Sequence, residues 1–139
     1  MNAMCDISGA ADLLATACDA LTQELLPLLP KERRYVGLMI GNALGIASRE
    51  LQTGAAADAG EAQRCAMLLA RSGIPLSPSI EAGPAALAQL RRALCDAIRA
   101  GRFDESGAQA ALMEHLTRTA SDWVSISNPK ALNSTGEGE

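Results

Sequence analysis

The amino-acid sequence predicts an all-α fold, a single-domain bundle of about five helices. Apolar residues recur every three to four positions over long stretches, which is the period of an amphipathic helix. Aromatic residues make up only 2% of the sequence, against 48% hydrophobic residues, so the core must be built from Leu, Ile, Met and Ala. Such side chains favour closely packed helices over strands. The 139 residues fit one domain, which we place at residues 1–132.

The first helix is predicted over residues 9–29 and the second over residues 31–53. Ser8 is a suitable N-cap for the first helix. The two prolines of its closing ELLPLLP stretch are expected to tighten or end its last turns. Pro30 also suits the start of the second helix, and Gly54 is expected to end that helix.

Three further helices are predicted over residues 56–71, 84–100 and 106–126. Gly73 and Gly101 are expected to end the first two of them. The connection at residues 72–84 contains three prolines and two glycines, which argues against regular helix. Either a mobile loop or an ordered crossover fits this connection. The closing residues 133–139 lack an apolar anchor and are expected to form a disordered tail.

The second helix has one face without bulky side chains. Four small residues fall within about 80° of one another on a helical wheel, namely Gly37, Gly41, Gly45 and Ser48. Each glycine costs a helix interior about 0.5–1 kcal/mol relative to alanine. We expect the close approach of another backbone to offset that cost. The approaching helix can belong to the same chain or to a second copy in a homodimer, and a groove for a ligand is the third alternative.

Polar residues on the same helix are the candidate binding residues. Asn42 and Arg49 lie seven residues apart on one side of the helix, and a carboxylate such as Glu24 or Glu50 can complete a polar pocket with them. The competing interpretation, which we favour, is structural: Asn42 fixes the helix register and Arg49 holds a neighbouring loop.

Charge and hydropathy argue against two classes of partner. The net charge is −4 and the arginines form no concentrated basic surface, so we expect no nucleic-acid partner. The longest apolar run, residues 35–47, spans 13 residues. A membrane span needs about 20 residues. The first residues also lack the basic region of a secretory signal. We therefore expect a cytoplasmic protein with no membrane partner.

No motif in the sequence predicts catalysis, a cofactor or a metal site. The four cysteines are dispersed, and we expect them to be reduced and mostly buried. His115, the single histidine, falls at the boundary between the apolar and polar arcs of the fifth helix, where we expect a surface-edge side chain. Phosphate-binding loops, HExxH and nucleophile-elbow motifs do not occur. No catalytic residue and no cofactor are predicted, and we do not expect an enzyme acting alone.

Two stretches carry a resemblance to a known family, the run ELLPLLP…RRY…NALGIASREL and the closing NPKAL. Through them, most of the chain resembles a bacterial family of small helical proteins of unknown function. Its members are often encoded beside aminoglycoside-phosphotransferase-like kinases and acyl-CoA dehydrogenases. The resemblance implies an accessory role to a small-molecule kinase or a role in acyl-CoA metabolism, and no established activity. Asn42, Arg49 and Glu50 match its motif, whereas Gly41 and Gly45 stand where relatives commonly have alanine.

These observations favour a non-catalytic helical interaction or accessory protein. We expect a homodimer, with a phosphotransferase-like kinase as the candidate partner enzyme. The alternative is a module that binds a small molecule, an acyl or phosphorylated metabolite, in a pocket walled by the second helix.

Overall fold

The computed structural model describes residues 7–76 and 84–133, and every regular element within them is helical, which confirms the all-α fold class. The longer helices are α1 (Ile7–Ala20), α2 (Lys31–Arg49), α3 (Ala55–Arg71), α4 (Pro84–Arg99) and α5 (Ser106–Ser127), and a short α6 (Lys130–Asn133) follows. A π-helical turn (Leu21–Leu25) and a 3-10 turn (Leu26–Leu28) follow α1, and a second π-helical turn (Glu50–Gly54) follows α2. Residues 134–139 of the tail predicted to be disordered and residues 77–83 of the connection lie outside the described residues, whereas Asn133 is the last residue of α6.

Backbone contacts group these helices into two compact units. Residues 7–55 and 126–133 belong to the first unit, which contains the hairpin of α1 and α2. Residues 56–76 and 84–125 belong to the second unit, which contains α4 and most of α3 and α5. Among the described helices, none combines the length and apolar character that a membrane crossing requires.

Gly54 does not end a helix, contrary to the sequence-based expectation. The backbone is right-handed helical at Glu50 and again at Ala55, and Gly54 lies buried in the π-helical turn between them. A glycine ends a helix where the backbone turns left-handed. In the described part of the chain, positive φ occurs only at Gly73 and Gly101. At Gly54 the missing side chain makes room instead, since a Cβ there would lie 2.5 Å from Oε1 of Glu50.

Gly73 and Gly101 end α3 and α4 as predicted, with φ values of 70° and 73°. After α3, the N–H of Gly73 donates to the carbonyl of Ala70 at 3.1 Å and the N–H of Ile74 donates to the carbonyl of Leu69 at 3.0 Å. The corresponding pair of bonds occurs at Gly101. This is the Schellman arrangement, which satisfies carbonyls that have no partner within the helix.

The hydrophobic core lies in the second unit. Its buried side chains come from three helices and the α4–α5 connection: Cys65, Leu68, Leu69, Leu90, Leu94, Ala97, Phe103 and Leu112. Leu69 and Cys65 have no exposed surface, and Ile74 packs against the cluster from the end of α3. This core holds α3 against α4 and α5, and so fixes the geometry of any site formed between these helices.

Candidate functional site

The small-residue face of α2 lies against the chain's own first helix and the turns that follow it. Gly37 and Gly41 are buried. A Cβ at Gly37 would lie 2.7 Å from Cδ1 of Leu26, and a Cβ at Gly41 would lie 3.1 Å from Cγ2 of Thr22. The thiol of Cys18 also donates to the carbonyl of Gly41 at 3.2 Å. Bare backbone at these two positions lets the helices of the hairpin approach closely.

The other two residues of this face have different surroundings. Ser48 is buried, and its hydroxyl donates to the carbonyl of Ala11 at 3.0 Å. Gly45 is half-buried, and a Cβ there would lie 3.2 Å from Nη1 of Arg49 on its own helix. Three of the four small residues therefore contact α1 or its continuation, while Gly45 makes room for an arginine.

The three candidate binding residues of α2 and its π-helical turn have different surroundings. Arg49 donates from Nε to the carbonyl of Ile126 at 2.6 Å, so its guanidinium satisfies a carbonyl in the last turn of α5. Asn42 is exposed, and Glu50 is exposed with its carboxylate over Gly54. None of the three lines the cleft between α3 and α5, which lies in the second unit.

That cleft is open, has a volume of about 710 Å³, and lies between α3 and α5. The α3 wall consists of Arg64, Met67, Leu68 and Arg71, and the α5 wall includes Ala111, Glu114, His115, Arg118 and Ser121. Both sets follow the i, i+3, i+4, i+7 spacing that places side chains on one face of a helix. The cleft is therefore formed by two facing helical stripes that each mix charged and small or apolar residues.

Arg64 links the two walls at one end of the cleft. Its Nη2 donates to Oδ2 of Asp122 at 3.1 Å and to the hydroxyl of Thr119 at 3.4 Å. Its Nε is buried and makes no hydrogen bond with the described residues. The carboxylate of Asp122 also lies 3.5 Å from Nε of Arg118 on its own helix. One carboxylate thus serves two arginines, which leaves an excess of positive charge beside the cleft.

His115 is buried in the wall of the cleft, so the expectation of a surface-edge histidine is wrong. The residue is only 5% exposed, and Nδ1 is enclosed without a hydrogen-bond partner among the described residues. Burial lowers the pKa of His115, the positive charge of Arg64 lowers it further, and Glu61 opposes them. The imidazole is therefore neutral at neutral pH, with one nitrogen able to donate and the other able to accept.

Glu61 and Arg91 form an ion pair that links α3 to α4. The guanidinium donates from Nε to Oε1 and from Nη2 to Oε2, both at 2.6 Å. The Glu61 carboxylate is buried, and its hydrogen bonds raise the pKa of Arg91 above its ordinary value. One helical turn further along α3, the thiol of Cys65 donates to the carbonyl of Leu90 at 3.4 Å.

The cysteines and acidic residues give no sign of a reactive or metal-binding cluster in the described residues. Burial raises the pKa of the Cys65 thiol to about 11, so this thiol is protonated at neutral pH and a poor nucleophile. Cys18 is half-buried and Cys95 is exposed, so among the three described cysteines the expectation of mostly buried thiols holds in full only for Cys65, and Cys5 lies outside the described residues. In the described part of the chain, no three His, Cys, Asp or Glu side chains come together as metal ligands would.

The cleft residues were not among those predicted from the sequence, although a signal for them existed. Arg64 and Arg71 stand seven residues apart on α3, and His115 and Arg118 stand three residues apart on α5. For each helix considered alone, the pair has the position expected of solvent-exposed residues beside the apolar face of an amphipathic helix. Only the packing of α3 against α5 brings the two edges together.

The comparisons with known proteins support a family assignment without an activity. No curated protein and no solved structure matches the chain. Residues 27–131 match the family described as "Domain of unknown function (DUF6285)". Since this match covers most of the chain, from the 3-10 turn before α2 to the short α6, the protein belongs to the DUF6285 family.

Proposed function

We propose that this chain is a non-catalytic, cytoplasmic interaction protein that forms a homodimer through the outward side of its N-terminal hairpin. One observation carries the proposal. Five large side chains in the first half of α2 are exposed: Tyr35, Val36, Leu38, Met39 and Ile40. We call them the α2 apolar face.

The hairpin itself cannot bury this face. Its buried positions in the described residues are Ala11, Gly37, Gly41, Ser48 and Gly54, none of which carries a large apolar side chain. Fully burying one large apolar side chain stabilises a structure by about 1.5–3 kcal/mol. Large apolar side chains exposed along one stretch of a helix are typical of an interaction site on a folded protein.

A second copy of the chain is the occupant that this surface fits best. Two copies present the same face to each other, so a two-fold arrangement covers both faces at once and closes the assembly. Pairing two helical hairpins in this way gives the packing of a four-helix bundle. An apolar groove of about 390 Å³, lined by Leu25, Leu28 and Ile40 among others, adjoins the face and can receive side chains of the partner.

The mass of the full chain in solution tests this proposal, with a matched pair of variants. Met39 and Met113 are exposed to nearly the same extent, 53% and 55%, on α2 and α5 respectively. Met39→Glu places a charge in the proposed seam and should give a monomer, while Met113→Glu should leave the dimer intact. Light scattering on purified protein measures both.

A partner enzyme is the second part of the proposal. Its support is the resemblance to a family whose members are often encoded beside phosphotransferase-like kinases, and the absence of catalytic motifs from the sequence. Co-expression with such a neighbouring kinase should yield a complex. A wild-type chain that is monomeric and also fails to co-purify with the kinase would overturn the proposed function.

The alternative function is a module that binds a small molecule. The sequence places this site at Asn42, Arg49 and Glu50, but the contacts of Arg49 are with the backbone. The observation that favours a small-molecule module is instead the cleft between α3 and α5.

A further inference from the structure

The cleft between α3 and α5 has the dimensions of a small-molecule site. Its volume of about 710 Å³ falls inside the range of about 300–1,000 Å³ that is usual for ligand pockets. Met67, Leu68 and Ala111 supply apolar surface, and the charged side chains lie around them. A site that combines apolar walls with a few convergent polar groups is suited to a small molecule with one polar end.

The charge of the cleft favours an anion. Three arginines line it, Arg64, Arg71 and Arg118, against the carboxylate of Glu114 in the lining and that of Asp122, which pairs with Arg64 and Arg118. The whole chain, in contrast, carries a net charge of −4. A local excess of positive charge on an acidic protein concentrates anions at that place.

Two of these arginines are available to a ligand. Arg71 is exposed, and none of the ion pairs formed by the described residues involves it. The side chain of Arg118 is 69% exposed, and its contact with Asp122, at 3.5 Å, is a weak surface pair. A guanidinium offers two parallel N–H groups that match the oxygens of a phosphate or a carboxylate.

His115 supplies an independent observation that points to a ligand. More than nine-tenths of the residue is buried, yet it lines the cleft, and its Nδ1 has no hydrogen-bond partner in the described part of the chain. Buried polar side chains are normally hydrogen-bonded. Because Nδ1 is enclosed without a partner, a neutral ring favours the tautomer with the proton on Nε2, which can then donate to a ligand oxygen.

We propose that this cleft binds a small molecule with an oxyanion head group, a phosphate or a carboxylate, on an apolar body. Arg71 and Arg118 bind the oxyanion, His115 donates to one of its oxygens from Nε2, and Met67 and Leu68 contact the apolar body. The proposal deepens the small-molecule alternative. It does not depend on the homodimer, so the two can fail separately.

Nuclear magnetic resonance on the full-length chain tests the proposal, because the chain has one histidine and therefore one imidazole spin system. Hexyl phosphate and hexanoate are titrated separately to millimolar concentration, with 1-hexanol as the uncharged control. We expect at least one of the two anions to give saturable shifts of the His115 imidazole, and 1-hexanol to give none at the same concentrations. The anion that binds more tightly identifies the preferred head group.

Variants locate the binding. Arg71→Gln is expected to weaken the binding of the more tightly bound anion about tenfold, which corresponds to about 1.4 kcal/mol in binding free energy. Arg92→Gln is the matched control, since it removes the same charge from an exposed position on α4 outside the cleft. Arg118→Gln should behave like Arg71→Gln. If it alters the fold, the exposed and unpaired Arg71 still decides the test.

Three results would overturn the proposal: neither anion shifts the imidazole, 1-hexanol shifts it as strongly as the anions, or Arg92→Gln weakens binding as much as Arg71→Gln. The last result would mean a general attraction of anions to the surface. None of these three results bears on the mass of the chain in solution. Light scattering therefore tests the proposed homodimer separately.

Discussion

At the scale of single residues, the pair formed by Glu61 and Arg91 is the most consequential ion pair in the second unit. The Glu61 side chain is 7% exposed and the Arg91 side chain is 42% exposed. Removing Arg91 therefore leaves a buried charge, whereas removing Glu61 leaves a charge that solvent can reach. Arg91→Leu leaves a buried carboxylate without a partner. We expect it to lower the free energy of unfolding by about 3–5 kcal/mol. Glu61→Gln leaves a guanidinium that can reach solvent, so its cost should be smaller. Urea unfolding measures both variants.

The control for this prediction is another ion pair of α4. Asp96 and Arg99 are paired at 3.0 Å with side chains 75% and 76% exposed, so Asp96→Asn should change the free energy of unfolding by less than about 1 kcal/mol. If Arg91→Leu costs no more than Asp96→Asn, the buried pair does not stabilise the contact between α3 and α4.

The burial of His115 shows which property of a side chain could not be predicted from the sequence of its own helix. The helical wheel of α5 places it correctly at the boundary between two arcs. Whether such a boundary is buried depends on the neighbouring helix, and here Arg64 of α3 reaches across to Asp122 and closes the wall. The charge partners of a residue in a bundle lie far away along the chain, so its burial could not be predicted from α5 alone.

At the scale of elements, the hairpin depends on bare backbone at Gly41. A leucine there adds a whole side chain at a buried position where even a Cβ would lie 3.1 Å from Thr22. The hydroxyl of Thr22 donates to the carbonyl of Cys18 at 2.8 Å, which limits its freedom to move. We expect Gly41→Leu to destabilise the chain by about 1–3 kcal/mol, as measured by thermal unfolding followed by circular dichroism.

Gly9→Leu is the matched control, because nothing lies within 4 Å of a Cβ at Gly9 on α1. This variant should keep the parent stability or gain slightly from the better helix propensity of leucine. A Gly41→Leu protein as stable as Gly9→Leu would contradict the close approach of α1 and α2.

The three glycines predicted to end helices show when a glycine in the sequence is sufficient to predict a helix end. Gly73 and Gly101 end their helices as predicted, and both are followed by residues whose N–H groups complete a Schellman motif. Gly54 was predicted to act in the same way and does not. The sequence around a glycine does not reveal whether its φ is positive or whether its missing side chain makes room for another group, as it does for Glu50.

At the scale of the whole molecule, the two units differ in how they are stabilised. The second contains the hydrophobic core, whereas the first exposes most of its large apolar side chains. If the α2 apolar face is buried in a homodimer, dilution should speed amide hydrogen exchange in α2 and leave α4 unchanged. Hydrogen-exchange mass spectrometry at two protein concentrations measures this.

The Met39→Glu variant provides the reference for the monomer. At high concentration its amide hydrogens in α2 should exchange as fast as those of the diluted parent. Equal exchange of α2 at both concentrations, in a parent that light scattering shows to dissociate, would place the dimer seam elsewhere.

The sequence by itself determined the all-α class, the approximate extents of five helices and the helix ends at Gly73 and Gly101. These follow from periodicity and backbone propensity, which act over a few neighbouring residues. The tertiary structure alone decided that Gly37 and Gly41 face the turns that follow α1, that Arg49 binds a backbone carbonyl, and that His115 lies buried in a cleft lined by arginines of two helices. Contacts of this kind join residues from about ten to nearly eighty positions apart, and no local pattern encodes which helical faces meet.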